Sequence, residues 1–359
     1  MNLRSALDCD LDLVGLGESM VRLSPPGHQR IEFAQQLQVW VGGGEYNVAY
    51  NAARLGLRGG WVGALPDNPM GRIVLNHARG GGLDVRHVVQ VPYDGVGRQS
   101  RVGLAWIEVG IGPRPSITVY DRGHSAASQL KPRDVDWAEL FHRRGVRWLH
   151  TGGIFTSLSP NSRQVVLEAV RAAHEAGTFV SYDLNYRASL WSIDDAIAAT
   201  KPLLPHVHCF IGNIGQFQIV LGQPVEGFDL ATDRVDPHAF ERLVEQVTSQ
   251  LPQVQVIATT LREVRTSQIN DFSGLMWYRG SIYRGMRFDN LEIEDRVGGG
   301  DGFAAGLAYG LLSGCDPQRT INLASAYGAL LHTTPGDNSQ VTLAELEAAM
   351  RGEKARIVR

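Results

Sequence analysis

Residues 295–310 read DRVGGGDGFAAGLAYG, which places three consecutive glycines and an aspartate at the predicted start of an apolar helix. Glycines there let backbone N–H groups approach a phosphate closely, and the positive end of the helix dipole favours its charge. The carboxylate of Asp301 would repel a phosphate, so its presence there indicates a separate task. One such task is to take a proton from an attacking hydroxyl. The stretch therefore indicates phosphoryl transfer. The alternative is a loop that only turns the chain, with Asp301 as an ordinary acid of the first helical turn.

The segments around this stretch alternate between short apolar runs and helical patterns, which predicts an α/β fold with a mostly parallel sheet covered by helices. The predicted strands are 11–17, 60–64, 147–151, 179–183, 209–212 and 254–259. The predicted helices are 45–55, 68–80, 161–176, 237–251, 300–312 and 317–331. Residues 22–41 and 97–122 alternate apolar and polar residues without a following helix, which predicts antiparallel strands outside the main sheet. We expect them to form a small β lid inserted into a single domain, residues 1–359.

Composition and charge exclude several classes of protein. The chain has 34 basic and 37 acidic residues, a net charge of −3 and no long run of like charges, which favours a small-molecule partner over nucleic acid or a membrane. Cys9, Cys209 and Cys315 are far apart and the eleven histidines show no metal spacing, so we predict reduced thiols and no structural zinc. No apolar run reaches the roughly 18 residues of a membrane span, and the N-terminal MNLRSALDCDLD lacks the apolar stretch expected of a signal peptide. We predict a cytoplasmic protein.

Two other segments carry polar residues suited to a binding site. The segment GGGEYN opens a helix, where Gly43 permits close approach of a polar ligand and Asn47 can both donate and accept hydrogen bonds. An ordinary helix N-cap is the alternative there. Asp183, Asn185 and Arg187 follow a buried strand, at the carboxyl end where parallel sheets bind ligands. The planar guanidinium of Arg187 suits a carboxylate or phosphate, and a surface salt bridge is the alternative.

These motifs together resemble the ribokinase-type (PfkB) carbohydrate kinases, and within that family the 2-keto-3-deoxygluconate kinases. The family's GAGD-like signature corresponds to residues 298–301, and its glycine–asparagine sugar motif to GGGEYNVAYNAARLG. DLNYRASLW at 183–191, RPSITVYDRGHSA from Arg114 and TPGDNSQVT from Thr334 are similar to the ketodeoxygluconate kinase forms. The similarity extends from about residue 14 to residue 342. It implies a ribokinase-like three-layer αβα sandwich with a mostly parallel central sheet and a small β-sheet lid.

The resemblance also implies an activity, that of an ATP-dependent, Mg²⁺-using kinase that phosphorylates 2-keto-3-deoxygluconate at its terminal 6-hydroxyl. It implies that Asp301 is the catalytic base and that the amides of Gly298, Gly299 and Gly300 form the anion hole. The residues implied for the sugar are Gly43, Asn47, Tyr120, Arg122, Asp183, Asn185 and Arg187, with Arg187 at the acid end. The residues implied for the nucleotide are Asn213, Thr260, Arg262 and Asn322. A homodimer through the lid is a further implication.

The chain departs from the family pattern at several positions. Gln216 replaces the usual acid that helps to organise magnesium, and a neutral amide attracts a hard dication less. Ala105 stands at a lid position that is often aromatic in the ketodeoxygluconate group. The usual glycine-rich nucleotide turn is missing around Thr260, and a solvated pair of Arg262 with Glu263 is an alternative to a phosphate contact. Two other functions therefore stay open: a kinase of another sugar or sugar acid, such as fructose or ribose, and a catalytically weak sugar- or nucleotide-binding paralogue.

Overall fold

The computed structural model describes residues 3–222, 228–229, 234–235 and 238–353. The strands are β1 (Leu11–Leu16), β2 (Met20–Ser24), β3 (Gln38–Gly42), β4 (Gly59–Val62), β5 (Ala64–Pro66), β6 (Val89–Val91), β7 (Gly103–Glu108), β8 (Ile117–Asp121), β9 (Val146–Gly152), β10 (Phe179–Asp183), β11 (Cys209–Ile211), β12 (Phe228–Asp229), β13 (Arg234–Val235), β14 (Val256–Val264), β15 (Ile269–Tyr278), β16 (Ser281–Arg284) and β17 (Phe288–Glu292). The α-helices are α1 (Gly44–Arg54), α2 (Pro69–Gly80), α3 (Gly153–Ser157), α4 (Pro160–Glu175), α5 (Ile193–Thr200), α6 (Ile214–Leu221), α7 (Ala239–Gln250), α8 (Gly299–Leu312), α9 (Pro317–Leu331) and α10 (Leu343–Met350).

Six parallel strands, in the order β14-β11-β10-β9-β1-β4, form the centre of a nine-stranded sheet. They are the six strands predicted from the sequence, so that prediction is confirmed. Beyond β14 the sheet continues with antiparallel strands, because β15 pairs with β14, β16 and β17. The sequence pattern does not predict this extension. Residues 261–271 are rich in charged and polar side chains, and they lack the apolar run by which the parallel strands were recognised.

Alternate side chains of the parallel strands enter separate cores on the two faces of the sheet. Leu13 and Trp148 pack in the core formed with α1, α8 and α9, whereas Val14 and Leu149 pack in the core formed with α4 and α7. The alternation follows from the period of two along a strand. Helices therefore cover both faces, which confirms the predicted three-layer architecture.

The six predicted helices are present, and polar caps set where several of them begin. Asn68 accepts a hydrogen bond from the N–H of Gly71 (3.0 Å) at the start of α2, and Asp316 accepts one from Arg319 (2.9 Å) at the start of α9. A proline follows each cap at the first helical position, where its missing N–H costs nothing. Residue 237, the first of the predicted helix 237–251, lies outside the described residues.

A separate four-stranded sheet, called the second sheet below, has the order β3-β2-β7-β8. Its strands come from the two stretches predicted to lie outside the main sheet, although β2 already begins at Met20. The prediction of purely antiparallel pairing is wrong. The β2–β3 and β7–β8 pairs are antiparallel, but β2 and β7 pair in parallel. Each stretch folds back on itself, and the first strands of the two stretches lie side by side in the same direction.

Cys9, Cys209 and Cys315 are all free thiols. Within the described part of the chain, no helix is both long enough and apolar enough to cross a bilayer.

Candidate active site

A cavity of about 1010 Å³ lies between the carboxyl ends of the parallel strands and the second sheet. Its volume is at the upper end of the roughly 300–1,000 Å³ typical of ligand pockets, which leaves room for two substrates. The predicted site residues that line it are Gly43, Asn47, Tyr120, Arg122, Asp183, Asn185, Arg187, Asn213, Gln216, Thr260, Arg262, Gly298, Gly299, Gly300 and Asp301. Residues far apart in the sequence therefore meet in one cavity.

The glycine loop at the start of α8 has the form of an anion cradle. Gly298 is left-handed (φ +88°), and a Cβ there would come within 2.4 Å of the carbonyl oxygen of Asp337. A Cβ on Gly299 would come within 2.1 Å of the His332 ring, whereas the space beside Gly300 is open. No side chain caps this end of α8 in the described structure. The first N–H groups of the helix therefore face the cavity without a capping partner, as an anion site requires.

Asp301 lies in the first turn of α8 and is held through one carboxylate oxygen. The Nδ2 of Asn47 donates to its Oδ2 (2.7 Å), and the Oδ1 of Asn47 accepts from the N–H of Gly43 (3.2 Å). Asn47 therefore fixes the orientation of the Asp301 carboxylate. This contact is additional to the sugar contact or helix N-cap considered from the sequence. Among the described residues, none donates a hydrogen bond to the other oxygen, Oδ1. That oxygen is free to accept a proton.

Several carboxylates share this side of the cavity, and burial raises their pKa values. For Asp301, burial and the charges of Asp183, Asp337 and Glu45 raise the pKa well above its ordinary range, against the hydrogen bond from Asn47. Burial raises the pKa of Glu45 to about 7 and that of Asp183 to about 6. A base whose pKa is raised toward neutrality binds the transferred proton more strongly.

We expect Glu45 to make the folding stability depend on pH. Its carboxyl group keeps its proton in the folded protein up to about pH 7, whereas in the unfolded chain it ionises near its ordinary value of 4.5. The stabilising contribution is therefore complete below about pH 4.5 and is lost as the pH rises through 7, by about 3 kcal/mol in total. Urea unfolding of the wild type and of Glu45→Gln at pH 4.5, 6 and 7.5 measures the difference. If the free energy of unfolding changed with pH equally in both proteins, the raised pKa of Glu45 would not be its cause.

Arg187 lies at the carboxyl end of β10, beyond a turn formed by Asp183 and Asn185. The Oδ1 of Asp183 accepts from the N–H of Asn185 (3.1 Å), and Asn185 adopts a positive φ of 31°. Arg187 is exposed, and the only hydrogen bond of its side chain within the described structure runs from Nη1 to the carbonyl of Tyr186 (3.1 Å). No acidic side chain of the described residues lies within salt-bridge distance. The alternative of a surface salt bridge is therefore wrong, and the guanidinium can bind an anion.

Arg122 contributes to the wall formed by the second sheet. Its Nε donates to the buried carboxylate of Glu18 (2.8 Å), and Nη2 donates to the same oxygen. The Arg122 guanidinium also lies over the ring of Tyr120, 5.3 Å from its centroid. Both contacts fix the position of Arg122, which lines the cavity.

Beneath the glycine loop, Arg22 of β2 bridges two carboxylates. Its Nη2 donates to Asp295 and its Nη1 to Asp337, each at 2.5 Å, and only 1% of the Arg22 side chain is exposed. Asp295 also accepts hydrogen bonds from the N–H groups of Val297 (3.2 Å) and Gly336 (3.2 Å). This buried triad connects the second sheet to both segments that shape the loop at Gly298.

The predicted nucleotide residues fall into two groups. Asn213, Thr260 and Arg262 line the cavity, but Asn322 does not. The Oδ1 of Asn322 accepts from the N–H of Met286 (3.0 Å) and from Gln318 (3.2 Å), so this oxygen is already occupied by protein donors. Its nucleotide contact stays a prediction without support from the geometry. Glu263 pairs with Arg287 (3.5 Å), whereas the alternative considered from the sequence is a pair with Arg262.

The side chain of Gln216 has a structural task that the sequence analysis did not foresee. Its Oε1 accepts from the N–H of Asn213 (3.0 Å), and Asn213 accepts in return from the N–H of Gln216 (2.9 Å), so the two form a capping box at the start of α6. Among the described residues no group of three or more acidic, histidine or cysteine side chains could hold a metal ion.

Sequence reasoning missed Arg22, Asp295, Asp337, Glu45 and Arg296. Asp337 lies in TPGDNSQVT and Asp295 in DRVGGGD, two segments that drew attention as motifs but not residue by residue. Their partner Arg22 is 315 residues away from Asp337 in the chain, and no local pattern connects such residues. Glu45 was part of GGGEYN, yet nothing in that pattern indicates a buried acid.

A glycine cradle for a phosphate, next to a carboxylate with one free oxygen, lines a cavity for two substrates and defines a phosphotransferase that acts on a hydroxyl group. Over residues 10–343 the chain matches the pfkB family of carbohydrate kinases, and it belongs to that family. The predicted family and the predicted sugar kinase activity are confirmed.

Similar proteins within the family carry closely related names. The chain is 32% identical to the 2-dehydro-3-deoxygalactonokinase of Haloferax volcanii over 350 residues, which cover 97% of this chain and 99% of that protein. It is 27% identical to the 5-dehydro-2-deoxygluconokinase of Shouchella clausii, with 94% of each chain covered. The crystal structure of the 2-dehydro-3-deoxygluconokinase of Thermotoga maritima superimposes with a TM-score of 0.88 at 36% identity, covering 95% of this chain and 100% of that one.

Proposed function

We propose that this protein transfers the γ-phosphoryl group of ATP to the terminal 6-hydroxyl of 2-keto-3-deoxygluconate, which is also called 2-dehydro-3-deoxygluconate. One observation carries the proposal: Arg187, without an acidic partner in the described structure, lines the same cavity as Asp301. A sugar acid can place its carboxylate on the guanidinium and its far hydroxyl beside the base. The three similar kinases are each named for a dehydro-deoxy derivative of gluconate or galactonate, which supports an acidic substrate.

The site residues divide the reaction between them. The sugar hydroxyl oxygen attacks the γ-phosphorus, its proton passes to Oδ1 of Asp301, and the bond from the phosphorus to the leaving oxygen of ADP breaks. Asn47 holds the other carboxylate oxygen, so that Oδ1 keeps its direction toward the hydroxyl. The N–H groups of the loop at Gly298 to Gly300 would stabilise the charge that spreads over the transferred group. Magnesium would enter with the ATP phosphates, because Mg²⁺ keeps several waters and binds mainly through substrate phosphates with one or two carboxylates.

The wall opposite the main sheet would hold the sugar. Tyr120 of β8 and Arg122, the residue after that strand, line the cavity. Ala105 and Ile107 of β7 also line it. The small side chain at Ala105 leaves space where an aromatic ring would narrow the cavity. Asn185 lies close to Asp301 across Gly44, since a Cβ on Gly44 would be 3.8 Å from the Asn185 amide and 4.0 Å from Oδ1 of Asp301. These contacts support a polar, hydroxyl-rich ligand in front of the base.

A coupled assay of ADP release over a panel of sugars tests the proposed substrate. The panel contains 2-keto-3-deoxygluconate, its galactonate epimer, 5-dehydro-2-deoxygluconate, fructose and ribose, each at several Mg²⁺ concentrations. We expect the highest kcat/KM with a keto-deoxy acid. A preference for fructose or ribose would favour the neutral-sugar alternative. Binding of sugar and ATP without any turnover would favour the weak paralogue, for which the neutral Gln216 is the motivating feature.

We expect Arg187→Ala to act on acidic substrates only. Loss of a charge-assisted pair should raise KM for a keto-deoxy acid by roughly 10- to 100-fold, while KM for a neutral sugar changes by less than about twofold. Arg187→Lys is the matched control, because it keeps the charge and loses the bidentate geometry. Its KM for the keto-deoxy acid should lie between that of the wild type and that of Arg187→Ala. Steady-state kinetics on both sugars gives the comparison. An equal effect on acidic and neutral sugars would contradict the carboxylate contact.

We propose further that the second sheet is the lid of a single domain and that it mediates a homodimer. The outer strands β3 and β8 have free edges and carry exposed apolar side chains, Val39 at 53% and Val119 at 52%. An exposed strand edge is a template for pairing with another chain, and exposed apolar side chains beside it favour such an interface. Sedimentation equilibrium would show a dimer that dissociates in Val119→Lys. A wild type that stays monomeric at micromolar concentration would contradict the dimer.

We also propose that the protein is located in the cytoplasm. Its support is the use of ATP together with the three free thiols, which are typical of reducing compartments. Cell fractionation tests it, and recovery of the protein outside the cytoplasmic fraction would overturn it.

A further inference from the structure

We propose that Arg296 binds the polyphosphate of the phosphoryl donor, an inference that rests on the kinase function proposed above. Arg296 lies between β17 and α8, two residues before Gly298, and it lines the cavity. The side chain is half-buried. Among residues 3–222, 228–229, 234–235 and 238–353, its guanidinium has neither a hydrogen-bond nor an ion-pair partner.

The missing partner distinguishes Arg296 from Arg122 and Arg287, which line the same cavity. Arg122 is paired with Glu18, and Arg287 is paired with Asp271 (2.7 Å) and Asp289 (2.5 Å). Burial without a counter-charge lowers the pKa of Arg296. Withdrawing a cation from water is unfavourable unless an anion compensates it, and here no described side chain does so. An anionic ligand bound in the cavity would supply this compensation.

The position of Arg296 identifies which anion that is. The residue precedes the glycine loop, whose uncapped N–H groups already suit a phosphate. The carboxylate of the sugar acid has its own candidate cation in Arg187, which belongs to a different element, at the carboxyl end of β10. A triphosphate that reaches the glycine loop carries several charged oxygens, and a planar guanidinium binds two of them at once.

The backbone around Arg296 is fixed before any ligand arrives. The N–H groups of Glu294 (2.8 Å) and Asp295 (3.2 Å) donate to the carbonyl of His332, and the N–H of Val297 donates to the carboxylate of Asp295 (3.2 Å). Asp295 is in turn held by Arg22. Little ordering of the main chain is therefore needed when a phosphate binds, which favours affinity.

The test compares Arg296→Met with Arg287→Met, an arginine of the same cavity that already has acidic partners. Inorganic tripolyphosphate is titrated calorimetrically into each protein, and KM is measured for ATP and for the sugar acid. We expect Arg296→Met to raise Kd for tripolyphosphate and KM for ATP by roughly 10- to 100-fold, with KM for the sugar within about twofold. Arg287→Met should change both phosphate-dependent values by less than about threefold.

Thermal unfolding separates ligand binding from a purely structural role. Because Arg296 has no partner among the described residues, Arg296→Met should leave Tm of the free protein unchanged or raise it, while the increase in Tm on adding ATP should shrink. A lower Tm with unchanged Kd for tripolyphosphate would overturn the inference, as would a rise of KM for the sugar acid alone. A wild type that turns over no sugar, yet binds tripolyphosphate in an Arg296-dependent way, would refute the proposed function and uphold this inference.

Discussion

Asp301→Asn is expected to lower kcat by about 10²- to 10⁴-fold, the range that a positioned general base contributes. The variant keeps the size of the side chain and an oxygen that can accept from Asn47 (2.7 Å in the wild type), but its amide cannot take the proton of the attacking hydroxyl. KM for the sugar and Kd for ATP should change by less than about threefold, because the base acts mainly in the transition state. Steady-state kinetics with a keto-deoxy acid, together with nucleotide titration, measures these quantities.

The folded state of Asp301→Asn should be no less stable than the wild type. Burial and the neighbouring carboxylates already disfavour the charged form of Asp301, as its raised pKa shows, and a neutral amide removes that penalty. A loss of turnover therefore cannot be attributed to unfolding. Asp67→Asn, at an exposed surface carboxylate, is the control and should leave kcat unchanged. Wild-type turnover in Asp301→Asn would refute its role as the base.

Replacing Arg22 with Met is expected to lower the free energy of unfolding by about 3–5 kcal/mol. The substitution leaves the carboxylates of Asp295 and Asp337 buried and facing each other without the cation between them. Breaking a buried ion pair by removing one partner is costly, because the remaining charge is uncompensated. Urea denaturation at pH 7 measures the loss. Arg72→Met removes a pair exposed on both sides, Arg72 with Asp67, and should cost less than about 1 kcal/mol.

Two further measurements show whether the lost charge is the cause. Acid should partly restore Arg22→Met, since protonation of Asp295 or Asp337 removes the repulsion, and burial already raises the pKa of Asp337. For the same reason the double variant Arg22→Met/Asp337→Asn should be more stable than Arg22→Met alone. A loss below about 1 kcal/mol, or a loss that is the same with and without Asp337, would contradict this account of the triad.

The parts of the molecule that could be predicted are those encoded by local pattern. The six parallel strands are continuous apolar runs because both of their faces are buried, and helix periodicity with polar caps such as Asn68 and Asp316 marks the helices. The glycine loop at Gly298 is likewise local, since the same few residues supply the left-handed turn and the start of α8. Arg187 could be predicted at the cavity because the carboxyl ends of parallel strands meet at one edge of the sheet.

The remaining parts depend on contacts between distant segments. The parallel pairing of β2 with β7 joins residues about 80 positions apart, and neither strand differs in pattern from one that pairs in the antiparallel sense. The triad of Arg22 joins the first strand of the second sheet to the tail of the chain. Gln216 was interpreted as a lost acid, but its hydrogen bonds show a capping box, which glutamine forms as well as glutamate does.

A crystal structure of the complex with 2-keto-3-deoxygluconate and a non-hydrolysable ATP analogue tests the central claim most directly. The account predicts the sugar carboxylate on the guanidinium of Arg187 and the 6-hydroxyl oxygen within roughly 2.6–3.2 Å of Oδ1 of Asp301, with the terminal phosphate on the N–H groups of Gly299 and Gly300. The reverse orientation, with the carboxylate beside Asp301 and no hydroxyl within reach of it, would contradict the account.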